Sequence, residues 1–586
     1  MESTCSSEWS ERVRLSRRAF VGGSAATVAA AILAACGGNP DKATDTPKPA
    51  AAGAATSPAG SAPAAPAPAT TKAAVLPTST PQTSANASNE TPAPGGRLII
   101  ADDQGDQPLD PFKTPWHSTA HFLVFRHYIA KAPDLTYVPD TFESWQTSPD
   151  NKEVTFKVRQ GIKNTDGTVV DASSLKFIID RLVDPQRKAP GASAFTSLKS
   201  TTVIDDYTLK LTYDPPYAPL YSGMSGSEVS SKAAVEKYGD DFGNHPIGAG
   251  PYLVKDQVSG NSIVYDRNPG YTQPPPFYKN RGPAYFDGVT IKVIKEEATT
   301  WAALKAGEVH VAHIPTTFVK EADTNQDITV VKQLDTGLRY LGMNCSKPPF
   351  NDPLVRQAVA HAIDRNSIVQ NAMDGYGEVL YTPLAAAIAY SDNEGMKKIA
   401  YPFDPAMGKD KLKQAGYDVT GPIATKGGQP FEVTLLVNNT DFFKRAGQIV
   451  QSQLKDIGVK INIQITEGTA LTDATVVGTH QMFLQLYGST DPSIMFYFFH
   501  SSRIKATNRA WYSSPELDAL LEQGQSELDP AKQQMIYEKV QEMVVKAAPW
   551  VVFGNPYVFY GVRKEVRGFQ VHPQGTYLLH DAWMKK

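Results

Sequence analysis

The sequence predicts an α/β protein built from more than one packed unit. Three observations point there. The chain has 586 residues, too many for a single core. Phe431 to Val437 reads as a strand, Phe442 to Asp456 as a helix ending at Gly458, and Lys460 to Thr466 as a strand with Ile461, Ile463 and Ile465 on one face. Strand, crossover helix and strand in that order make a parallel α/β unit. Along the rest of the body, short apolar strands alternate with helices whose starts carry capping side chains. Net charge is −3, which lacks the basic footprint of a nucleic-acid binder, and aromatics at 10% suffice for a core and a cleft.

The N-terminus reads as an address. Ser16-Arg17-Arg18-Ala19-Phe20 resembles the twin-arginine export motif. The Ala/Gly-rich run Val21 to Ala35 follows, too short and weakly apolar to span a membrane comfortably. It ends in Leu33-Ala34-Ala35-Cys36-Gly37, which resembles a lipobox, so residues 1–36 are expected to be a signal and Cys36 a lipidated new N-terminus. The plainer alternative is an ordinary helix with an incidental Cys. With Cys5 lost and Cys36 modified, Cys345 is left alone and no disulfide can form within the mature chain. Residues 37–95 hold Pro, Ala, Thr and Ser with no aromatic residue, a composition that cannot offset its own ordering entropy. As a flexible linker of that length they would span roughly 40–45 Å.

The body opens with Gly95-Gly96-Arg97-Leu98-Ile99-Ile100-Ala101 as a buried strand, then Pro108-Leu109-Asp110-Pro111 and a helix from about Ser118 to Lys131. Trp116 and His117 sit on the loop between them. His117, His121 and His127 raise a metal reading, but no Glu or Cys accompanies them in a ligand spacing, and no metal or other cofactor is expected. Val154, Phe156 and Val158 alternate as a half-buried strand. Asp166-Gly167 is a hairpin turn, and Asp171 caps a helix through Val183. Ile204 to Tyr213 is a strand. His245-Pro246-Ile247-Gly248-Ala249-Gly250-Pro251-Tyr252 supplies glycines for a sharp turn or a close backbone approach to a ligand. Strands follow at Ser262–Tyr265 and Val289–Ile294, then a helix from Thr299 to Lys305 ending at Gly307.

The stretch TGLRYLGMNCSKPPFNDPLVRQAVAHAIDRNSIVQNAMDGYGEVLYTPL, residues 336–384, contains a strand at Arg339–Met343. A helix starts at Asn351-Asp352-Pro353, and Asp364 caps a second one running to Gly375. Asp404-Pro405 to Ala415-Gly416 is a short helix. Gln481 to Tyr487 is an apolar strand that leads into Gly488-Ser489-Thr490-Asp491-Pro492, and ligands sit at strand ends in open α/β sheets. Ser514-Pro515 and Asp529-Pro530 start the last helices, and Pro549 to Asn555 is a final strand.

These motifs, in this order over essentially all of residues 95–586, resemble the peptide/nickel group of extracellular solute-binding proteins, the captors that feed ABC importers. The resemblance implies a type II periplasmic-binding-protein fold, two lobes around a hinge with an extra subdomain in the first lobe. It places lobe I at 96–335 with the inserted subdomain at about 132–244, lobe II at 336–548, and a return to lobe I at 549–586. It implies ligand contacts at Trp116, His117, Tyr487, Asp491 and Asn555, and hinge residues at Tyr340, Asn344 and Phe553. Tyr487 stands where the family usually has Trp. The segment after it is shortened, so Asp491 could match either of two family aspartates, the first of which pairs with a peptide's α-amino group.

No nucleophile elbow, zinc-hydrolase helix, paired-Cys metal spacing, P-loop or dinucleotide fingerprint is present. The reading is therefore a lipid-anchored, extracytoplasmic, monomeric binding protein with a peptide or small-molecule ligand and an ABC permease as partners, and no nucleic acid. Two alternatives stand beside oligopeptide capture: a non-peptide solute such as a metal–chelate or an oligosaccharide in the same fold, and an extracytoplasmic hydrolase on the same tether.

Overall fold

One long strand, Trp550–Arg563, organises a 12-stranded sheet among the described residues of a computed structural model. The structure describes residues 85–86, 90–103, 108–114 and 118–585, so the signal, Cys36, Trp116 and His117 lie outside the described residues. The first half of the sheet holds parallel strands Gly288–Val293, Arg97–Asp102 and Val311–Ile314. The second half holds parallel strands Met482–Gly488, Glu432–Asn438 and Lys460–Thr466. The long strand joins them. Its C-terminal part runs antiparallel to Val311–Ile314 and to Ile328–Leu334, and its N-terminal part antiparallel to Gly337–Met343.

The buried residues divide the same way. One set runs from Ala85 to Val331 and resumes at Phe559 and Tyr560; the other runs from Leu338 to Phe553. The chain passes between them twice, at Asp335–Thr336 and at Asn555–Pro556, where the two crossings bond to each other through Asp335 N–H and the Pro556 carbonyl at 3.0 Å. The second crossing falls inside the long strand, several residues after its start at Trp550.

Antiparallel strands Phe142–Thr147, Glu153–Val158, Thr208–Tyr213 and Leu198–Asp205 form a separate four-stranded sheet. Its inward residues Val154, Phe156, Leu209 and Leu211 share one continuous core with Leu98 and Ile100 of the first half. Helix Ala172–Val183 packs on it, capped by Asp171, whose carboxylate accepts the Ser174 N–H. The expected strand Ile204–Tyr213 is two strands with a turn at Asp206-Tyr207.

Two further expectations are corrected. The helix expected over about Ser118–Lys131 covers Thr119–Val124 and gives way to strands Arg126–His127 and Ile129–Lys131. This run is buried on nearly every side, so it has no polar face to present as a surface helix. The Val124 carbonyl, which would continue the helix, accepts the Gly250 N–H at 2.8 Å instead. A Cβ at Gly250 would lie 2.4 Å from the Val124 carbonyl carbon, so the glycines of 245–252 serve this backbone approach. Second, the linker's end is part of the body. Ala85 is 4% exposed, its N–H donates to the Phe569 carbonyl at 2.9 Å, and the Asn86 amide donates to the Arg563 and Val566 carbonyls. On the strand Lys460–Thr466, Ile461, Ile463 and Ile465 share one face as read, and that face opens toward the strand's end, where Ile461 is buried and Ile465 is 53% exposed.

Candidate functional site

The strand Ile129–Lys131 pairs with Tyr137–Pro139, and this hairpin carries Lys131 to the second half of the molecule. The Lys131 ammonium donates to Thr490 Oγ1 at 2.7 Å and to the Thr490 carbonyl at 3.3 Å. The Tyr137 ring lies 5.0 Å below the ammonium, and its hydroxyl donates to Asp491 Oδ2 at 3.4 Å. Gln574, from the C-terminal segment, donates to the same Thr490 Oγ1 at 3.3 Å. Three side chains of the first half thus meet the turn that follows strand Met482–Gly488. A second bridge runs from the Thr316 hydroxyl to Asp374 Oδ2 at 3.0 Å, with Arg445 gripping both oxygens of that carboxylate. A third joins the Ala218 N–H to the Gln525 carbonyl at 2.7 Å.

A cleft of about 440 Å³ opens at the C-terminal ends of the parallel strands of the first half, the position that open α/β sheets use for ligands. Asp102 ends one strand with Asp103 just after it, Glu297 follows another, and His313 projects from the third. Tyr560 and Tyr577 form its aromatic wall. His313 opens onto the cleft yet has protein around it. Partial desolvation pushes its imidazole below the ordinary value, against the pull of Glu297 and Asp103, and leaves it neutral at neutral pH.

Lys131 is 6% exposed, and burial pulls its ammonium down to about 8, with the Asp491 carboxylate resisting. An exposed lysine titrates at about 10.4. Between about pH 8 and 10 the unfolded chain therefore keeps a proton that the folded chain releases. Stability should rise with pH across that window, by up to about 1.4 kcal/mol per unit, and the gain is lost as pH falls through about 8. Tyr137, pushed well above its ordinary range by burial and then by Asp491, stays neutral there. Urea unfolding from about pH 7 to about pH 10 checks this: the slope should be absent in Lys131→Met, and an identical slope in both proteins contradicts it.

The residues singled out in the sequence fall in different places. Asp491 is at the junction, but one carboxylate oxygen accepts the Ser493 N–H at 2.9 Å and the other faces Tyr137. Tyr487 is 5% exposed and turns into the second core, its ring 4.8 Å from Phe498 and its hydroxyl bonded to the Pro383 carbonyl. It is a packed core residue, not a cleft contact. Asn555 is fully buried: its amide donates to the Asp335 and Gly337 carbonyls and accepts the Ala386 N–H. Both its N–H groups are spent on backbone at the crossing, so it offers no donor to a ligand. Tyr340, stacked on Trp550 at 3.7 Å, and Phe553 lie within the second core, and the buried Asn344 side chain donates to the Gly478 and His480 carbonyls. The crossings themselves lie a few residues away, at Asp335–Thr336 and Asn555–Pro556. Lys131, Tyr137, Gln574, His313, Tyr560 and Tyr577 were not singled out in the sequence. The one local signal for any of them is that Ile314 ends a strand beside Pro315, which puts His313 near a strand end.

One arrangement looks like a hydrolase triad. His500 Nδ1 lies 2.8 Å from Ser502 Oγ, and Nε2 lies 3.3 Å from Glu522 Oε1. The Ser502 backbone N–H donates to the same Nδ1 at 3.1 Å, and the ring stacks on Phe496, so this imidazole caps the turn Ser501–Arg503. The one free thiol among the described residues, Cys345, is pushed up to about 11 by burial and stays protonated at neutral pH, as a structural cysteine does. Among the described residues no helix is long and apolar enough to cross a membrane.

Residues 136–506 match the model of bacterial extracellular solute-binding proteins, family 5 middle. The chain is 27% identical over 463 residues to the glutathione-binding protein GsiB of Pectobacterium atrosepticum, covering 77% of this chain and 86% of that one. Among solved structures it is similar to the oligopeptide-binding protein AppA of Bacillus subtilis in complex with a nonapeptide, at 23% identity and a TM-score of 0.69, over 85% of this chain and 100% of that chain. It is also similar to NikA of Brucella suis in complex with Fe(III)-EDTA, at 21% identity and a TM-score of 0.73, over 84% and 100%. The fold is that of type II periplasmic binding proteins.

Proposed function

This chain belongs to the family 5 bacterial extracellular solute-binding proteins, and from that premise we propose that it is the lipid-anchored captor of an ABC importer for a short peptide or a similar small solute. Proteins of this family are solute-binding components of ABC importers and not enzymes. In the proposed arrangement Cys36 holds a monomer to the outer face of the cell membrane. Residues 96–335 act as lobe I with an inserted subdomain at about 132–244, residues 336–548 act as lobe II, and the final strand leads back to lobe I. The lobes rotate about the two crossings, Asp335–Gly337 and Gly554–Tyr557, and close over the solute. A ligand drives such a change only through contacts that differ between open and closed states.

The observation that carries the reading is that Lys131, Tyr137 and Gln574 all reach across to Thr490 and Asp491 beside a cleft at the strand ends. Contacts of that kind exist only when the two halves are together, so they mark the closed arrangement that a bound solute has to favour. A cleft of about 440 Å³ is within the ~300–1,000 Å³ of small-molecule sites, which favours a solute of a few residues. A non-peptide solute is the second reading. It is favoured by Asp491, whose oxygens already serve Ser493 and Tyr137, and by the Fe(III)-EDTA of a similar protein.

Native mass spectrometry of the full chain, purified in detergent without refolding, tests this. A co-purified short peptide or a single small solute is the expected result, with small-angle scattering showing a more compact particle when it is bound. Conversion of the bound compound into products, or identical compaction with and without a tight ligand, would overturn it.

A further inference from the structure

We propose that the cleft of the first half receives a cationic nitrogen of the solute, an ammonium or guanidinium group, against Asp103 and Glu297 with Tyr560 and Tyr577 as its walls. The inference rests on the solute-capture reading and names the chemistry of its ligand. The lining carries three carboxylates, Asp102, Asp103 and Glu297, against one ammonium, Lys295. Asp103 and Glu297 have no ion-pair partner among the described residues, and both are exposed to the cleft. His313 is neutral at neutral pH and does not repel a cation.

The walls point the same way independently. Tyr560 is 7% exposed and Tyr577 9%, yet both line the cleft and neither hydroxyl has a hydrogen-bond partner among the described residues. The Tyr560 hydroxyl stands over Gly575, another lining residue. Both side chains are more than nine-tenths buried while their hydroxyl oxygens are not, which leaves the two hydroxyls free to hydrogen-bond a ligand in the cleft. The rings also form a corner. Tyr560 and Tyr577 meet at 90° with centroids 5.6 Å apart, and His313 meets Tyr560 at 83° and 6.0 Å. Aromatic faces beside carboxylates attract a cation through the ring quadrupole as well as through charge. An anionic group would meet three carboxylates there.

The position departs from the arrangement the sequence suggested, in which Asp491 would take an amine. Asp491 belongs to the second half and already holds the Ser493 N–H, whereas Asp103 and Glu297 are unspent.

The test is calorimetry of the full chain with matched probes, one member of each pair lacking the cationic nitrogen: trialanine against N-acetyl-trialanine, glutathione against N-acetyl-glutathione, and Nα-acetyl-arginine against Nα-acetyl-citrulline. In any pair that binds, the cationic member should bind about tenfold tighter or more. In the Asp103→Asn, Glu297→Gln double variant, whose changes are isosteric and exposed, the gap should shrink to about threefold or less with the neutral member unchanged. Tyr577→Phe should weaken the cationic member by about threefold while keeping the ring. Equal binding within pairs overturns the inference, as does a gap that survives the double variant; in both cases binding with compaction leaves the capture reading intact. Failure of every pair to bind also overturns the inference, and the capture reading then stands or falls on the co-purified mass.

Discussion

Replacing Arg126 with methionine is expected to remove about 3–5 kcal/mol of stability from the first half. Arg126 is 3% exposed, and its Nε lies 2.8 Å from Asp140 Oδ1, both side chains being almost wholly buried. The same guanidinium donates to the Thr272 and Gln273 carbonyls and lies 4.9 Å over the Tyr271 ring. Asp140 in turn accepts the His127 N–H at 3.1 Å. Methionine fills most of the volume but leaves a buried carboxylate with that one hydrogen bond and the more distant Arg159 guanidinium. The cost comes from the orphaned charge, so removing the charge as well should restore stability. The Arg126→Met, Asp140→Leu double variant is therefore expected to recover most of the loss in urea denaturation, since apolar replacement of a buried pair is often neutral. A double variant no more stable than the single one would mean that the loop at Thr272–Gln273, and not the charge, carries the effect. The consequence reaches the site, because Arg126 begins the run that ends at Lys131.

How much was legible in the sequence follows from how local each determinant is. Asp171, Asp352, Asp364, Asp404, Ser514 and Asp529 each accept a backbone N–H at the helix starts read for them. A cap is a contact between neighbours, and its residue types are specific. The parallel unit at 431–466 was legible for the same reason, since period and length decide it. Residues 118–131 were not, because burial on all sides erases the helical stripe and a glycine 126 residues away takes the Val124 carbonyl. Tyr487 was misplaced by one step of the strand: neighbouring side chains face opposite ways, and it is Leu486, 44% exposed, that points away from the core. The junction was the least legible part. Lys131 meets Thr490 across 359 positions, and nothing in either local pattern announces the other. The cleft residues share this difficulty: Asp103, Glu297, Tyr560 and Tyr577 come from four separate segments brought together by sheet order.

Asn555 separates a structural role at the crossing from a role in binding. Its amide bonds both chain crossings at once, donating to the Asp335 carbonyl at 2.7 Å and to the Gly337 carbonyl, and accepting the Ala386 N–H at 3.3 Å. Asn555→Leu keeps the volume of a fully buried residue but strands two carbonyls and one N–H, at about 1–3 kcal/mol for each group left unpaired. A loss of about 2–5 kcal/mol is expected, with hydrogen exchange accelerating first at Asp335–Gly337 and Gly554–Tyr557. Asn555→Asp sharpens the test. It keeps an acceptor for Ala386 but turns a buried carboxylate toward two carbonyl oxygens, so it should be at least as destabilising as leucine despite being nearly isosteric. If Asn555 were a ligand contact, both variants would keep their unfolding midpoints and lose solute binding alone. With the amide acting as a pin, midpoint and exchange move first, and binding weakens only because closure must turn about a loosened crossing. The ordering wild type, then leucine, then aspartate in stability is therefore the outcome that assigns this buried amide to the hinge.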